Sequence, residues 1–136
     1  MILAKAWLMA AKDDLILLED IKNNVHITNL IAFHSQQAIE KSLKAVIESK
    51  NQKVPKTHKL QQLFELVDIK IDLNDNLINL IHLLDELYID SRHPSEFGLL
   101  PYGKPTLEDA KEFYEFALTV FDKVCNILDI DKEELK

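Results

Sequence analysis

Apolar residues in this chain recur every three or four positions with few interruptions. That spacing lines one side of a helix and does not suit a strand, whose faces alternate at every second residue. Only two glycines and four prolines occur among 136 residues. Both glycines and three of the prolines lie between Pro94 and Pro105. Helix breakers are therefore gathered in one place, and the rest of the chain is free to be helical.

The apolar rows divide the chain into five segments. The first runs from about Ile2 to Lys22 through Leu3, Ala6, Trp7, Ala10, Leu17, Leu18 and Ile21. The second runs from about Ile27 to Lys50 and stops at the turn Asn51–Lys56. Thr57 is placed to cap a short third helix, His58 to Val67. The fourth begins after Asp72 or Asn74 and carries Leu77, Leu80, Ile81, Leu84, Leu87 and Tyr88 toward an end near Arg92. Thr106 and Asp109 resemble a capping box that opens the fifth, which runs to about Leu128. The polar tail Asp129–Lys136 is expected to fray.

This pattern predicts an all-α fold in a single domain over 1–136. Its form is an up-and-down antiparallel helical bundle of four long helices and one short one. An apolar share of 47% with 29% charged residues is that of a chain that buries a core, and argues against disorder. No apolar run reaches the length a membrane helix needs, and the start has no signal-peptide layout. Cys125 is the lone cysteine, so no internal disulfide forms. These features point to the cytoplasm, with no membrane partner.

The net charge of −7 argues against a general electrostatic coating of nucleic acid. Contact with nucleic acid would have to come from a local site. Arg92 is the one arginine among 16 basic residues. It stands where the fourth helix should give way to the proline-bounded loop. A guanidinium offers phosphate or carboxylate a planar, two-pronged donor that lysine cannot copy. Asp85, Tyr88 and Arg92 are spaced to share one helix face, while His93, preceding Pro94, is turned off the helix. Arg92 either pairs with Asp85 or Glu96 to pin the loop, or offers its fork to a ligand.

The second segment carries further polar residues. His34, Gln37 and Lys41 share one face, and Gln36 and Glu40 share another. The alternative reading is a solvated face with Glu40 paired to Lys44. Phe97 and Tyr102 in the loop either stack on bases or plug the bundle end. The five histidines show no metal-ligand spacing, so neither a metal nor another cofactor is expected. Cys125 falls on an apolar stripe and reads as core.

Three runs together carry a resemblance. Phe33-His34-Ser35-Gln36-Gln37-Ala38-Ile39-Glu40-Lys41-Ser42-Leu43-Lys44-Ala45, then Lys56-Thr57-His58-Lys59-Leu60, then Ser91-Arg92-His93-Pro94, resemble the HEPN (higher eukaryotes and prokaryotes nucleotide-binding) domain in its small stand-alone prokaryotic form. The likeness spans about Ala4 to Leu128. It implies a small helical bundle, usually a homodimer, often encoded beside a minimal nucleotidyltransferase in a toxin–antitoxin-like pair. Many members are metal-independent ribonucleases with an arginine followed, after four to six residues, by a histidine. Arg92 matches that arginine, but Phe97, Gly98 and Leu99 occupy the positions where the histidine would stand. His93 is the neighbouring histidine.

Three functions follow as expectations. The first is a nucleotide- or RNA-binding protein with Arg92, Gln37, Lys41, His34 and Tyr88 at the ligand, working with a nucleotidyltransferase. The second is an endoribonuclease using Arg92 and His93. The third is a partner protein with no ligand of its own.

Overall fold

The computed structural model describes residues 1–69, 74–89 and 94–135. Its helices are α1 (Ile2–Ile21), α2 (Thr28–Ser49), α3 (Leu60–Leu66), α4 (Asp75–Asp85) and α5 (Leu107–Ile127). The all-α bundle read from the sequence is the fold observed, with α2 packed between α1 and α5. α3 and α4 pack on each other and reach α2, and α4 also touches α5.

Helix α1 turns Ala4, Leu8, Ala11, Leu15 and Leu18 inward at alternating steps of four and three. Helix α2 is buried on most of its surface, so its small residues matter. Ser35 and Ser42 sit fully inside, each returning its hydroxyl to the carbonyl four residues back, Ile31 and Ala38, at 2.7 Å. The hydroxyls are thereby satisfied without a partner across the interface. α5 contributes the bulk: Phe113, Phe116, Val120, Phe121 and Val124. Thr106 caps α5 as expected, its hydroxyl accepting the Asp109 N–H at 3.0 Å. Asn74 caps α4 by accepting the Leu77 N–H at 2.9 Å.

Three expectations are corrected. First, α4 is 11 residues long and ends at Asp85. The apolar row continues through Leu87 and Tyr88, but the backbone there takes other partners. The Tyr88 N–H donates to the Leu99 carbonyl at 2.9 Å, and its carbonyl accepts the Gly98 N–H at 2.6 Å. Asp85 and Tyr88 therefore do not share a helix face. Second, Thr57 does not cap α3. Its hydroxyl accepts the Lys59 N–H and donates to Gln62, while Asp85 receives the Leu60 and Gln61 N–H groups at 2.6 and 3.0 Å. Third, the tail is docked as far as Leu135 rather than frayed. Asp131 and Glu134 form a capping box, Ile130 and Leu135 are buried, and Lys5 of α1 pairs with Glu134 at 2.9 Å.

The loop after Pro94 is docked rather than open. Phe97 lies against Phe33 of α2 with ring centroids 4.1 Å apart, and its carbonyl accepts the Asn29 side-chain amide at 2.9 Å. Gly98 follows at φ +75, where an added Cβ would sit 2.0 Å from the Asn29 carbonyl oxygen. Only glycine fits so close to that backbone. Phe97 thus plugs the bundle end, whereas Tyr102 stays exposed.

Candidate functional site

Two polar clusters lie on α2. In the first, Asp14 of α1 is 7% exposed and holds two residues of α2. Its Oδ1 accepts the His34 Nδ1–H at 2.9 Å and its Oδ2 accepts Lys41 Nζ at 2.7 Å. His34 and Lys41 are thus brought together as expected from their shared face. What gathers them is a buried carboxylate from the neighbouring helix, and the edge of the His34 ring also rests on Phe33.

The second cluster is centred on Glu40, which is buried, as is Lys44. The Glu40–Lys44 pair forms at 3.2 Å, but inside the fold rather than on a solvated face. Lys44 also stands 5.5 Å from the centre of the Trp7 ring on α1. Glu40 Oε1 accepts from Gln36 Nε2 at 3.2 Å and from His58 Nδ1 at 2.9 Å. Gln36 Nε2 also meets the His58 carbonyl at 3.0 Å, and Gln37 donates to Gln36 Oε1 at 2.7 Å. Gln37 therefore serves this second network, not the His34–Lys41 cluster. A buried carboxylate needs such a shell of donors, since desolvation without partners is costly.

His58 carries the network to the surface. It lies in the segment between α2 and α3, and its side chain is 59% exposed although Glu40 behind it is closed off. With Gln36, Thr57, Lys59, Leu84, Asp85, Leu87 and Ile89 it lines a cleft of about 320 Å³. Lys59 Nζ donates to the Asp85 carbonyl at 2.9 Å across it.

Tyr88 is half-buried and lies in a different hollow of about 370 Å³, with Glu86, Glu96, Leu99, Leu100, Pro101 and Gly103. Arg92 and His93 lie outside the described residues. Asp85 is committed to the α3 backbone, so the Arg92–Asp85 pairing weighed from the sequence would have to compete with that cap. Among the described residues, no group of three or more His, Cys, Asp or Glu side chains is placed to hold a metal ion. Nor is any helix there long and apolar enough to cross a membrane.

The pattern that defines the HEPN domain matches residues 4–128. The chain belongs to the HEPN domain family. A Methanocaldococcus jannaschii protein described as a candidate toxin is 30% identical over 135 residues, covering 92% of this chain and 88% of that one. The crystal structure of a Thermus thermophilus protein superposes with a TM-score of 0.69 at 25% identity, over 91% of this chain and 97% of the other. The structure of an archaeal HEPN homologue gives a TM-score of 0.63 at 22% identity over 98% of both chains. This HEPN domain thus contains both polar clusters and the cleft within its matched span.

Sequence reasoning misses Asp14 and gives His58 no role. His58 stands in plain view within Lys56-Thr57-His58-Lys59-Leu60. Its partner Glu40 is 18 residues away, and no helical spacing connects the two.

Proposed function

We propose that this HEPN protein binds a nucleotide or RNA and acts with a minimal nucleotidyltransferase as one half of a toxin–antitoxin-like pair, as a cytoplasmic homodimer. The observation that carries the reading is the cleft lined by His58. Thr57, His58 and Lys59 offer polar groups beside the apolar Leu84, Leu87 and Ile89, with Gln36 and Asp85 holding the walls. A few placed polar groups on an apolar wall suit a base and its sugar. Arg92 follows Ile89 by three residues, about 10 Å of chain at full extension. In this reading it supplies the two-pronged donor for the phosphate, which an acidic chain needs locally. The relative described as a candidate toxin fits the same setting. Gln37 holds Gln36 and so supports the cleft, whereas His34 and Lys41 hold Asp14 in a separate cluster.

Titration with a fluorescent mononucleotide and a short RNA tests the reading. Arg92→Lys keeps the charge and loses the fork, so affinity should fall by about tenfold. Unchanged affinity would remove Arg92 from the site. Co-purification with the product of a neighbouring nucleotidyltransferase gene tests the partnership.

A second reading is a metal-independent endoribonuclease. The sequence frames it on Arg92 and His93. The described structure favours it on other grounds: an exposed imidazole backed by a buried carboxylate, at a cleft. Cleavage of a labelled RNA in EDTA by the purified protein is the test.

A further inference from the structure

We propose that His58, oriented by Glu40, is the general base of RNA cleavage in this cleft; the proposal rests on the endoribonuclease reading. Glu40 already meets the Lys44 ammonium at 3.2 Å and a Gln36 N–H at 3.2 Å, so it acts as an acceptor. The proton between Glu40 Oε1 and His58 Nδ1, 2.9 Å apart, therefore belongs to the imidazole. In the neutral ring this leaves Nε2, on the opposite edge, as a lone-pair acceptor. Such a carboxylate-held ring keeps one tautomer and one orientation while its outer nitrogen takes a proton.

A purely structural role explains less. Lys44 already balances the charge of Glu40, so the fold does not need an imidazole for that purpose. His58 is 59% exposed and lines the cleft, whereas His34, held at 2.9 Å by Asp14, is 24% exposed and packs on Phe33. Of the two carboxylate-held histidines among the described residues, His58 is the one that lines this cleft. Asp14 also shares itself between His34 and Lys41, which marks that cluster as a tie between α1 and α2.

Nε2 of His58 removes the proton of a ribose 2′-hydroxyl, and the 2′-oxygen bonds to the adjacent phosphorus. The bond from phosphorus to the 5′-oxygen breaks, and that oxygen takes a proton from water. The imidazolium returns its proton to the hydroxide so formed. The products are a 2′,3′-cyclic phosphate and a 5′-hydroxyl, with nothing oxidised or reduced. Lys59 stands on the same wall and gives one N–H to the Asp85 carbonyl; an ammonium has three donors to place near a phosphate.

The experiment compares the native protein with His58→Gln, His58→Asn and His26→Gln on a labelled RNA in EDTA. Affinity is read in parallel with a 2′-O-methyl oligonucleotide, which binds but has no 2′-hydroxyl to attack. Asparagine can still donate to Glu40, and glutamine can still reach the place of Nε2, but neither shuttles a proton. His26 lies in the turn between α1 and α2, does not line the cleft and serves as control. Both His58 variants should lose about 100-fold or more in cleavage rate, with affinity unchanged and cyclic-phosphate ends on the native products. His58→Gln cutting at the native rate would overturn the assignment and leave the ribonuclease reading standing. Parallel loss of affinity and cleavage would make His58 a binding group and not the base. Products ending in a 5′-phosphate would mean that water attacks, which overturns the proposed step. Intact RNA with the native protein would take down the ribonuclease reading and the assignment together.

Discussion

Asp14 is the one buried carboxylate that α1 sends toward α2, and it answers a histidine and a lysine at once. Removing it leaves two donors facing a void. Their side chains are 24% and 23% exposed, so water recovers part of the loss. Asp14→Ala should therefore cost about 1–3 kcal/mol in a urea unfolding experiment, less than a fully enclosed pair. Tyr114 and Glu19 make a second tie, between α5 and α1, with the phenol donating at 2.7 Å. Burial, then the Glu19 hydrogen bond, raises the Tyr114 pKa above its ordinary 10.0. A raised folded-state value means that this stability is complete below pH 10 and falls as pH climbs past it. Hydrogen bonds from Lys22 and then Tyr114 lower the Glu19 pKa below its ordinary 4.5, so its contribution holds above that value and is lost as pH drops beneath it. Thermal melts over a pH series should thus show both limbs; Tyr114→Phe should flatten the alkaline limb and only lessen the acid one, which Lys22 still supports. An alkaline remainder from Cys125 persists, since burial lifts that thiol above 9.0.

The short helix α3 depends on a residue 25 positions away. Asp85, at the end of α4, accepts the first free N–H groups of α3 from Leu60 and Gln61, and thereby fixes where His58 enters the cleft. Asp85→Ala should cost about 1–2 kcal/mol and speed amide exchange at Leu60 and Gln61. Exchange unchanged at those two amides would mean that the cap contributes nothing. This contact also marks how far a sequence can be read. Thr106 and its helix are legible because a cap and its target lie three residues apart. Asp85 and α3, like Glu40 and His58, are joined only by folding, and local spacing carries no trace of that. The end of α4 escapes sequence reading for a related reason. Leu87 and Tyr88 keep the helical rhythm, but the Tyr88 backbone does better by pairing with Gly98 and Leu99. The tail escapes it because two apolar residues, Ile130 and Leu135, are too few to show a period, yet both find the core.

As a whole, the bundle leaves one flank of α1 uncovered by the other described residues. α1 packs on α2 and α5, and its outer side exposes Ile2, Leu3, Met9, Ile16 and Leu17. Ile2, Met9 and Ile16 are seven residues apart and so lie on one line along the helix. Apolar side chains scattered singly are ordinary, but five along one flank of a helix, even with Lys5, Lys12 and Asp13 set between them, mark a surface that gains by association. The net charge of −7 keeps protomers apart unless such a row draws them together. The homodimer in the proposed function gives this row a partner, a second α1. Sedimentation of the native protein should then report a dimer. Met9→Glu combined with Ile16→Glu places charges in the seam and should shift the protein to monomers with its helical content intact, because neither side chain is part of the core. A double variant that sediments as the native protein does would put the dimer contact on another face.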